Sequence, residues 1–192
     1  MLDMSEKIGY LESEELIIVD SDDNELGFLS KEKCHDGEGI LHRAFSLFVF
    51  NPNGELLLQQ RSEGKRLWPL FWSNSCCSHP RKGESMEVAT RRRLKEELNI
   101  EASLECIYKF SYRAQFGGLG SENELCSVYL GRTVQDFSTN KNEIAYARYV
   151  SRQVLQSELQ TTPEAFTPWF KMEWEQLCSE FTDRLNAYTR GD

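Results

Sequence analysis

Between Gly83 and Leu98 the chain carries a helical pattern whose apolar face is interrupted by charge. Gly83-Glu84-Ser85 supplies the start, with Ser85 or Glu84 in the capping region. At the angular step of an α-helix, Met86, Ala89, Thr90, Leu94 and Leu98 fall on one arc. Arg93 and Glu97 lie in the middle of that arc, one turn apart. Charges inside an apolar face cost free energy unless they are paired or bound to something. An i,i+4 pair that snorkels to the edge meets that need, and so does a helix that looks into a binding site. Any fold for this chain has to give the face one or the other.

The stretch before the helix is Trp72-Ser73-Asn74-Ser75-Cys76-Cys77-Ser78-His79-Pro80, with two adjacent thiols and one of only three histidines. Free cysteines are commonly buried and inert, so the pair alone decides nothing. Six cysteines with no CxxC pair, no signal-peptide pattern and no apolar run near the roughly 20 residues of a membrane span predict a reduced, soluble, cytoplasmic chain. Its 192 residues fit one domain, and a net charge of −9 argues against a nucleic-acid or anionic-membrane surface.

Leu16-Ile17-Ile18-Val19 reads as a buried strand, Asp20 to Asn24 as a turn, and Gly27 as a tight return. Gly37 and Gly39 give the loop between His35 and His42 the freedom to bring both imidazoles to one point. Ala44 to Asn51 is a strand, Asn51-Pro52-Asn53-Gly54 a hairpin turn, and Glu55 to Arg61 the expected partner strand. Arg61, Lys65 and Arg66 then place positive charge just ahead of Trp68 to Trp72; taken alone, they read first as a solvated turn.

Leu104 to Arg113 reads as a strand, Gln115 to Gly120 as a flexible loop, and Leu125 to Gly131 as the next strand. Alternation on entering that strand puts Glu122 and Glu124 on one face and Asn123 on the other. Carboxylates side by side repel unless a cation or a shared proton lies between them, or solvent does. Ile144 to Val150 is a further strand, and Arg152 to Leu159 a helix. Pro168 opens a final helix to about Leu185, with Phe170, Trp174, Leu177, Phe181 and Leu185 as its core stripe. His35, His42, His79, Glu122 and Glu124 together make a five-ligand shell for a six-coordinate divalent ion such as Mg²⁺, Mn²⁺ or Zn²⁺, although spacing alone is a weak signal.

Three motifs carry a resemblance. Gly39-Ile40-Leu41-His42-Arg43-Ala44-Phe45, then Trp72-x-Asn74-Ser75-x-Cys77-x-His79-Pro80, then Glu122-Asn123-Glu124-x-Cys126 are together similar to the type I isopentenyl-diphosphate delta-isomerases. The resemblance runs from about Ile18 to Phe170. It implies an α+β chain with a Nudix-like α/β/α sandwich, a mixed β-sheet between helices. The single domain would span 1–192, with an N-terminal strand and loop extension over about 1–43 and a C-terminal helix over about 168–185. A Nudix box survives only in degenerate form, as Ser78, Glu84, Arg92, Arg93, Leu94, Glu96, Glu97 and Ile100. Arg93 stands where that box has a Glu, and Asn99 where it has its last Gly. These losses argue against diphosphate hydrolysis.

By the same resemblance His35, His42, His79, Glu122 and Glu124 hold a divalent metal (Mn²⁺, Mg²⁺ or Zn²⁺), and Glu97 holds a second Mg²⁺ with the substrate diphosphate. Lys31, Arg61, Lys65 and Arg93 bind that diphosphate. Cys77, Glu124, Tyr112 and Trp169 are catalytic; Cys76 has no assigned role. Ser78 replaces the usual Gly beside Cys77. The implied partner is a small isoprenoid diphosphate, with no nucleic acid and no membrane, and the chain is a monomer or weak homodimer. The implied reaction interconverts isopentenyl and dimethylallyl diphosphate. Glu124 supplies the proton, Cys77 takes one in an electropositive surrounding, and Trp169 faces the carbocation. A Nudix-type diphosphate hydrolase working through Glu96 and Glu97 is the rival reading, and a non-catalytic metal-dependent binding domain is a second.

Overall fold

The computed structural model describes residues 14–191. The first part of the expected N-terminal extension, residues 1–13, lies outside the described residues. Among the described residues nine strands form one mixed sheet: β1 (Glu15–Val19), β2 (Glu25–Ser30), β3 (His42–Phe50), β4 (Leu56–Arg61), β5 (Trp72–Ser73), β6 (Cys76–Ser78), β7 (Ser103–Phe116), β8 (Gly120–Arg132) and β9 (Ile144–Val150). The helices are α1 (Lys31–His35), α2 (Met86–Leu98), α3 (Arg152–Thr161), α4 (Pro168–Ser179) and α5 (Thr182–Thr189). Among the described residues no helix is long and apolar enough to cross a membrane.

β3 is the central strand, and its alternation divides the core. Ala44, Phe48 and Phe50 pack with Trp169, Phe170, Trp174 and Leu177 of α4 and Leu185 of α5. Phe45, Leu47 and Val49 pack on the other face with Ala89, Leu94 and Leu98 of α2. The sheet therefore lies between helices, as expected. β3 runs parallel to β8, from His42 opposite Glu124 to Phe50 opposite Arg132. The remaining pairings are antiparallel.

Several expectations need correction. The turn at 51–54 forms, with Asn51 N–H donating to Glu55 O at 3.0 Å. Yet β3 and β4 pair only at Phe50 and Leu56, and β4 spends its ladder on β9. The strands splay because residues 72–78 enter between them. Ser75 Oγ accepts from Val49 N–H at 2.8 Å and donates to Leu57 O at 2.7 Å, so one hydroxyl bridges the diverging strands. Asn74 Nδ2 donates to Leu47 O and Cys76 O. Behind them β6 pairs with β3, placing Cys77 opposite Ser46.

The segment 115–120 is not a flexible loop. β7 continues to Phe116 and β8 begins at Gly120, closing on Leu119 N–H to Phe116 O at 3.1 Å. Phe116 is held by ring contacts to Trp68 and Phe71. Gly27 lies within β2 opposite Ile18, not at a return. The expected helix to Leu185 is broken into α4 and α5 at Glu180 and Phe181. Phe181 leaves helical geometry to stack on Tyr108, ring centroids 4.8 Å apart.

Candidate active site

Four strands bring the site residues into neighbouring rows. Glu124 on β8 lies opposite His42 on β3 and opposite Tyr112 on β7. The even-numbered residues of β8, Glu122 and Glu124, are buried in the site. The odd-numbered Ser121 and Asn123 bond outward to Gly37 O at 2.7 Å and Gly39 O at 3.1 Å. They thereby pin the loop that links His35 to His42. Gly39 takes φ 73°, and a Cβ there would meet Asn123 Cβ and Ser121 O at 3.1 Å, so only glycine serves.

His35, His42, His79, Glu122 and Glu124 each offer a ligand atom within 4.8 Å of the others. The three rings lie 4.8–5.4 Å apart between centroids. His35 Nδ1 faces Lys31 O at 2.6 Å, and His42 Nδ1 faces Ile40 O at 2.7 Å. A carbonyl can only accept, so each Nδ1 carries the proton; His42 Nε2 is then left with a bare lone pair, whereas His35 Nε2 stands 2.8 Å from Glu122 Oε2. His42 Nε2 is fully buried and meets no hydrogen-bond partner. Burial holds His42 down at about 3 and His79 well below the usual range; neighbouring histidines add to both shifts. Three converging imidazoles, that of His42 with a buried lone pair fixed by tautomer, fit a divalent cation.

The two carboxylates are driven apart. For Glu122, burial works against the charge but His35 outweighs it, drawing the group down to about 2. Glu124 is pushed well above the carboxylate range by burial and by Glu122. Tyr112 O–H reaches Glu124 Oε2 at 2.7 Å, and His79 Nε2 reaches Oε1 at 2.8 Å. An acid and a carboxylate side by side is an arrangement suited to proton transfer.

Cys77 lies on the same pocket, which Lys31, His35, Arg61, Lys65, Arg93, Tyr112, Trp169 and both glutamates also line. Its neighbour Cys76 faces the opposite layer and approaches Glu97 Oε1 at 3.4 Å. The expected electropositive surrounding of Cys77 is not what the chain builds. Burial and the nearby Glu173 push its thiol up to about 12. Polar neighbours surround the sulfur: Trp169 Nε1 at 3.2 Å, Ser46 and Ser73 Oγ at 3.7 Å each, and Asn74 Oδ1, an acceptor, at 2.6 Å.

The cations are individually held. Arg61 donates to Leu67 O at 2.8 Å and Trp68 O at 3.0 Å, and its guanidinium lies 5.3 Å from the Trp169 ring centre. It fixes a loop in which Trp68 and Leu70 take left-handed backbone angles of 47° and 62°. Lys65 pairs with Glu143, which also takes Arg93 at 3.1 Å. Arg93 further binds Glu97 at 2.5 Å and Glu96 at 3.0 Å. The charges inside the face of α2 are thus paired, and Arg93 also borders the pocket. Glu97 is 2 % exposed, is paired with Arg93 and stands outside the five-residue cluster. Sequence reasoning missed Ser46, Glu143 and Glu173. Glu173 had a signal: it interrupts an apolar helix stripe between Phe170 and Leu177, as Arg93 and Glu97 do in α2.

The NUDIX domain family matches residues 40–170. Isopentenyl-diphosphate Delta-isomerase 1 of Photorhabdus laumondii is 38% identical over 174 residues, covering 90% of this chain and 99% of its own length. The Isopentenyl-diphosphate Delta-isomerase of Serratia proteamaculans is 42% identical over 171 residues, 89% of this chain and 95% of that one. Among solved structures, one from Deinococcus radiodurans superposes with a TM-score of 0.63 at 24% identity, covering 78% of this chain and 90% of its own. A MutT protein from Methanosarcina mazei gives 0.61 at 20% identity, covering 73% and 95%.

Proposed function

The chain belongs to the isopentenyl-diphosphate Delta-isomerases on a Nudix fold, and we propose that it interconverts isopentenyl and dimethylallyl diphosphate by proton transfer at Glu124 and Cys77. An isolated alkene is a very weak base, and the tertiary cation formed by protonating it is trapped by water. The reaction therefore needs a strong acid, a base and a dry wall. The observation that carries the reading is a buried carboxyl, Glu124, and a cysteine sulfur, Cys77, on one pocket, with Trp169 beside the sulfur.

Glu124 gives its proton to the terminal carbon, forming a C–H bond and leaving a carboxylate that Tyr112 O–H stabilises. The C2–H bond then breaks, its electrons make the new double bond, and its proton goes to Cys77, which must meet this step as thiolate against the burial and the Glu173 charge that push its thiol up. The reverse reaction starts from the Cys77 thiol and the Glu124 carboxylate. Trp169, 2 % exposed, offers its π face to the cation and keeps water out. A divalent ion on His35, His42, His79, Glu122 and Glu124 would supply positive charge that sharpens the acidity of Glu124. Three imidazoles favour Mn²⁺ or Zn²⁺ there over Mg²⁺. We assign Lys31, Arg61, Lys65 and Arg93 to the diphosphate, and Glu97 to a Mg²⁺ accompanying it.

Incubation with isopentenyl diphosphate and divalent metal, following dimethylallyl diphosphate and inorganic phosphate together, tests the reading. Dimethylallyl diphosphate without phosphate supports it. Phosphate release without isomerised product establishes the hydrolase instead, and neither product establishes a binding domain.

A further inference from the structure

Glu173 of α4 is a carboxyl with 0 % exposure, one turn beyond Trp169, and the mechanism above makes no use of it. Such a group is costly to bury, and its Oε2 has no hydrogen-bond partner. The polar groups beside the carboxyl are Cys126 Sγ, 3.6 Å from Oε1, and the Ser46 hydroxyl, which favours its ionised form against burial. Ser46 in turn lies 3.5 Å from Cys126 Sγ and 3.7 Å from Cys77 Sγ. The carboxyl therefore sits behind the sulfur that exchanges the proton, separated from it by one hydroxyl.

We propose that Glu173, acting through Ser46, is a positioning residue for Cys77 in the isomerase reaction. Ser46 has one hydroxyl hydrogen and two competing acceptors, the carboxyl and the sulfur. A carboxyl that donates its own O–H to Ser46 Oγ leaves that hydrogen for Cys77; a carboxylate takes it away. Burial pushes Glu173 up to about 8, so near neutral pH the donating form prevails and the chain of donors runs Glu173 to Ser46 to Cys77. The result is a neutral donor aimed at the sulfur, in addition to Trp169.

The inference rests on the isomerase reading, and wild-type turnover is its control. Absence of wild-type isomerisation overturns that reading; wild-type turnover leaves this one to be decided by variants. Glu173→Met removes the donor and keeps the volume. It is expected to lower kcat at least about tenfold with KM within about twofold. The melting temperature should hold or rise, since a buried carboxyl gives way to an apolar side chain. Glu173→Gln keeps a donor to Ser46 and is expected to recover most of the lost kcat. Ser46→Ala removes a single oxygen and reads the same contact should the Met variant not fold. Its kcat should fall similarly, and Ser46→Ala with Glu173→Met should be no worse than Ser46→Ala alone. A folded Glu173→Met with kcat within twofold of wild type, a Gln variant as impaired as the Met variant, or additive losses in the double variant would each overturn the proposal.

Discussion

Cys77 and Glu124 are the two residues whose replacement should stop chemistry without unfolding the chain. Cys77→Ala and Glu124→Gln are each expected to cut kcat by about 10²–10⁴-fold with an unchanged circular dichroism spectrum. Either variant keeping more than about a tenth of wild-type turnover would remove it from its role. His42 carries the metal expectation most sharply, because its Nε2 is buried with no partner. Adding Mn²⁺ or Zn²⁺ to chelator-treated protein should raise the melting temperature, by mass action on the folded state. His42→Ala should abolish that rise; a rise that persists would place the ion elsewhere. At this scale the sequence was informative about which residues meet, because histidine and cysteine are chemically rare residue types and stand here in dense motifs that the fold brings to one pocket. Ser46 and Glu143 escaped notice because nothing in their types or spacing marks them; only the fold brings them to Cys77 and to Lys65 with Arg93.

Among the elements, the insertion of residues 72–78 between β3 and β4 is what delivers Cys77 to the pocket. Ser75 is its wedge, accepting from Val49 N–H and donating to Leu57 O in the core. Ser75→Ala leaves both backbone groups buried without that partner, at a cost of about 2–4 kcal/mol. The variant should lose thermal stability and also turnover, since the same contact registers β6 against β3. Loss of less than about 0.5 kcal/mol in denaturant unfolding would show that the strands do not depend on it. Helix α2 was legible in detail: Ser85 caps it by accepting from Val88 N–H at 3.3 Å. Asn99 ends it in the left-handed conformation, φ 56°, where the family's box has a glycine. The splay of β3 and β4 was not legible, because a good hairpin turn fixes four residues and says nothing about what separates the strands beyond it. The break between α4 and α5 was hidden for a similar reason. Phe181 keeps the helical apolar spacing, and only its ring contact with Tyr108 shows that it serves a different geometry.

At the scale of the whole molecule, the ion pairs beneath the pocket tie the two sides of the fold together. Glu143, just before β9, holds Lys65 after β4 and Arg93 of α2. Burial opposes its charge, but Lys65 and Arg93 outweigh burial and hold the carboxyl well below its ordinary value of about 4.5. A folded-state pKa below the unfolded one contributes stability that is fully present above about 4.5 and is lost as pH falls toward the folded value. Glu143→Gln should therefore lower the melting temperature at pH 7, by roughly 6–12 °C for the ~3 kcal/mol typical of breaking a buried pair. Its melting temperature should also fall less steeply than that of wild type as the medium is acidified below about pH 4.5. Equal acid slopes would exclude Glu143 as the group responsible.

The central claim is that one proton is added at one carbon of the substrate while another is taken from a second carbon, by two different side chains. Nuclear magnetic resonance of isopentenyl diphosphate turned over in deuterated water with divalent metal reads both transfers at once. The account predicts deuterium in a methyl group of dimethylallyl diphosphate, from Glu124, and deuterium at C2 of isopentenyl diphosphate re-formed at equilibrium, from Cys77. Isomerised product carrying no solvent deuterium at either carbon, or unlabelled substrate accompanied by free phosphate, would contradict it.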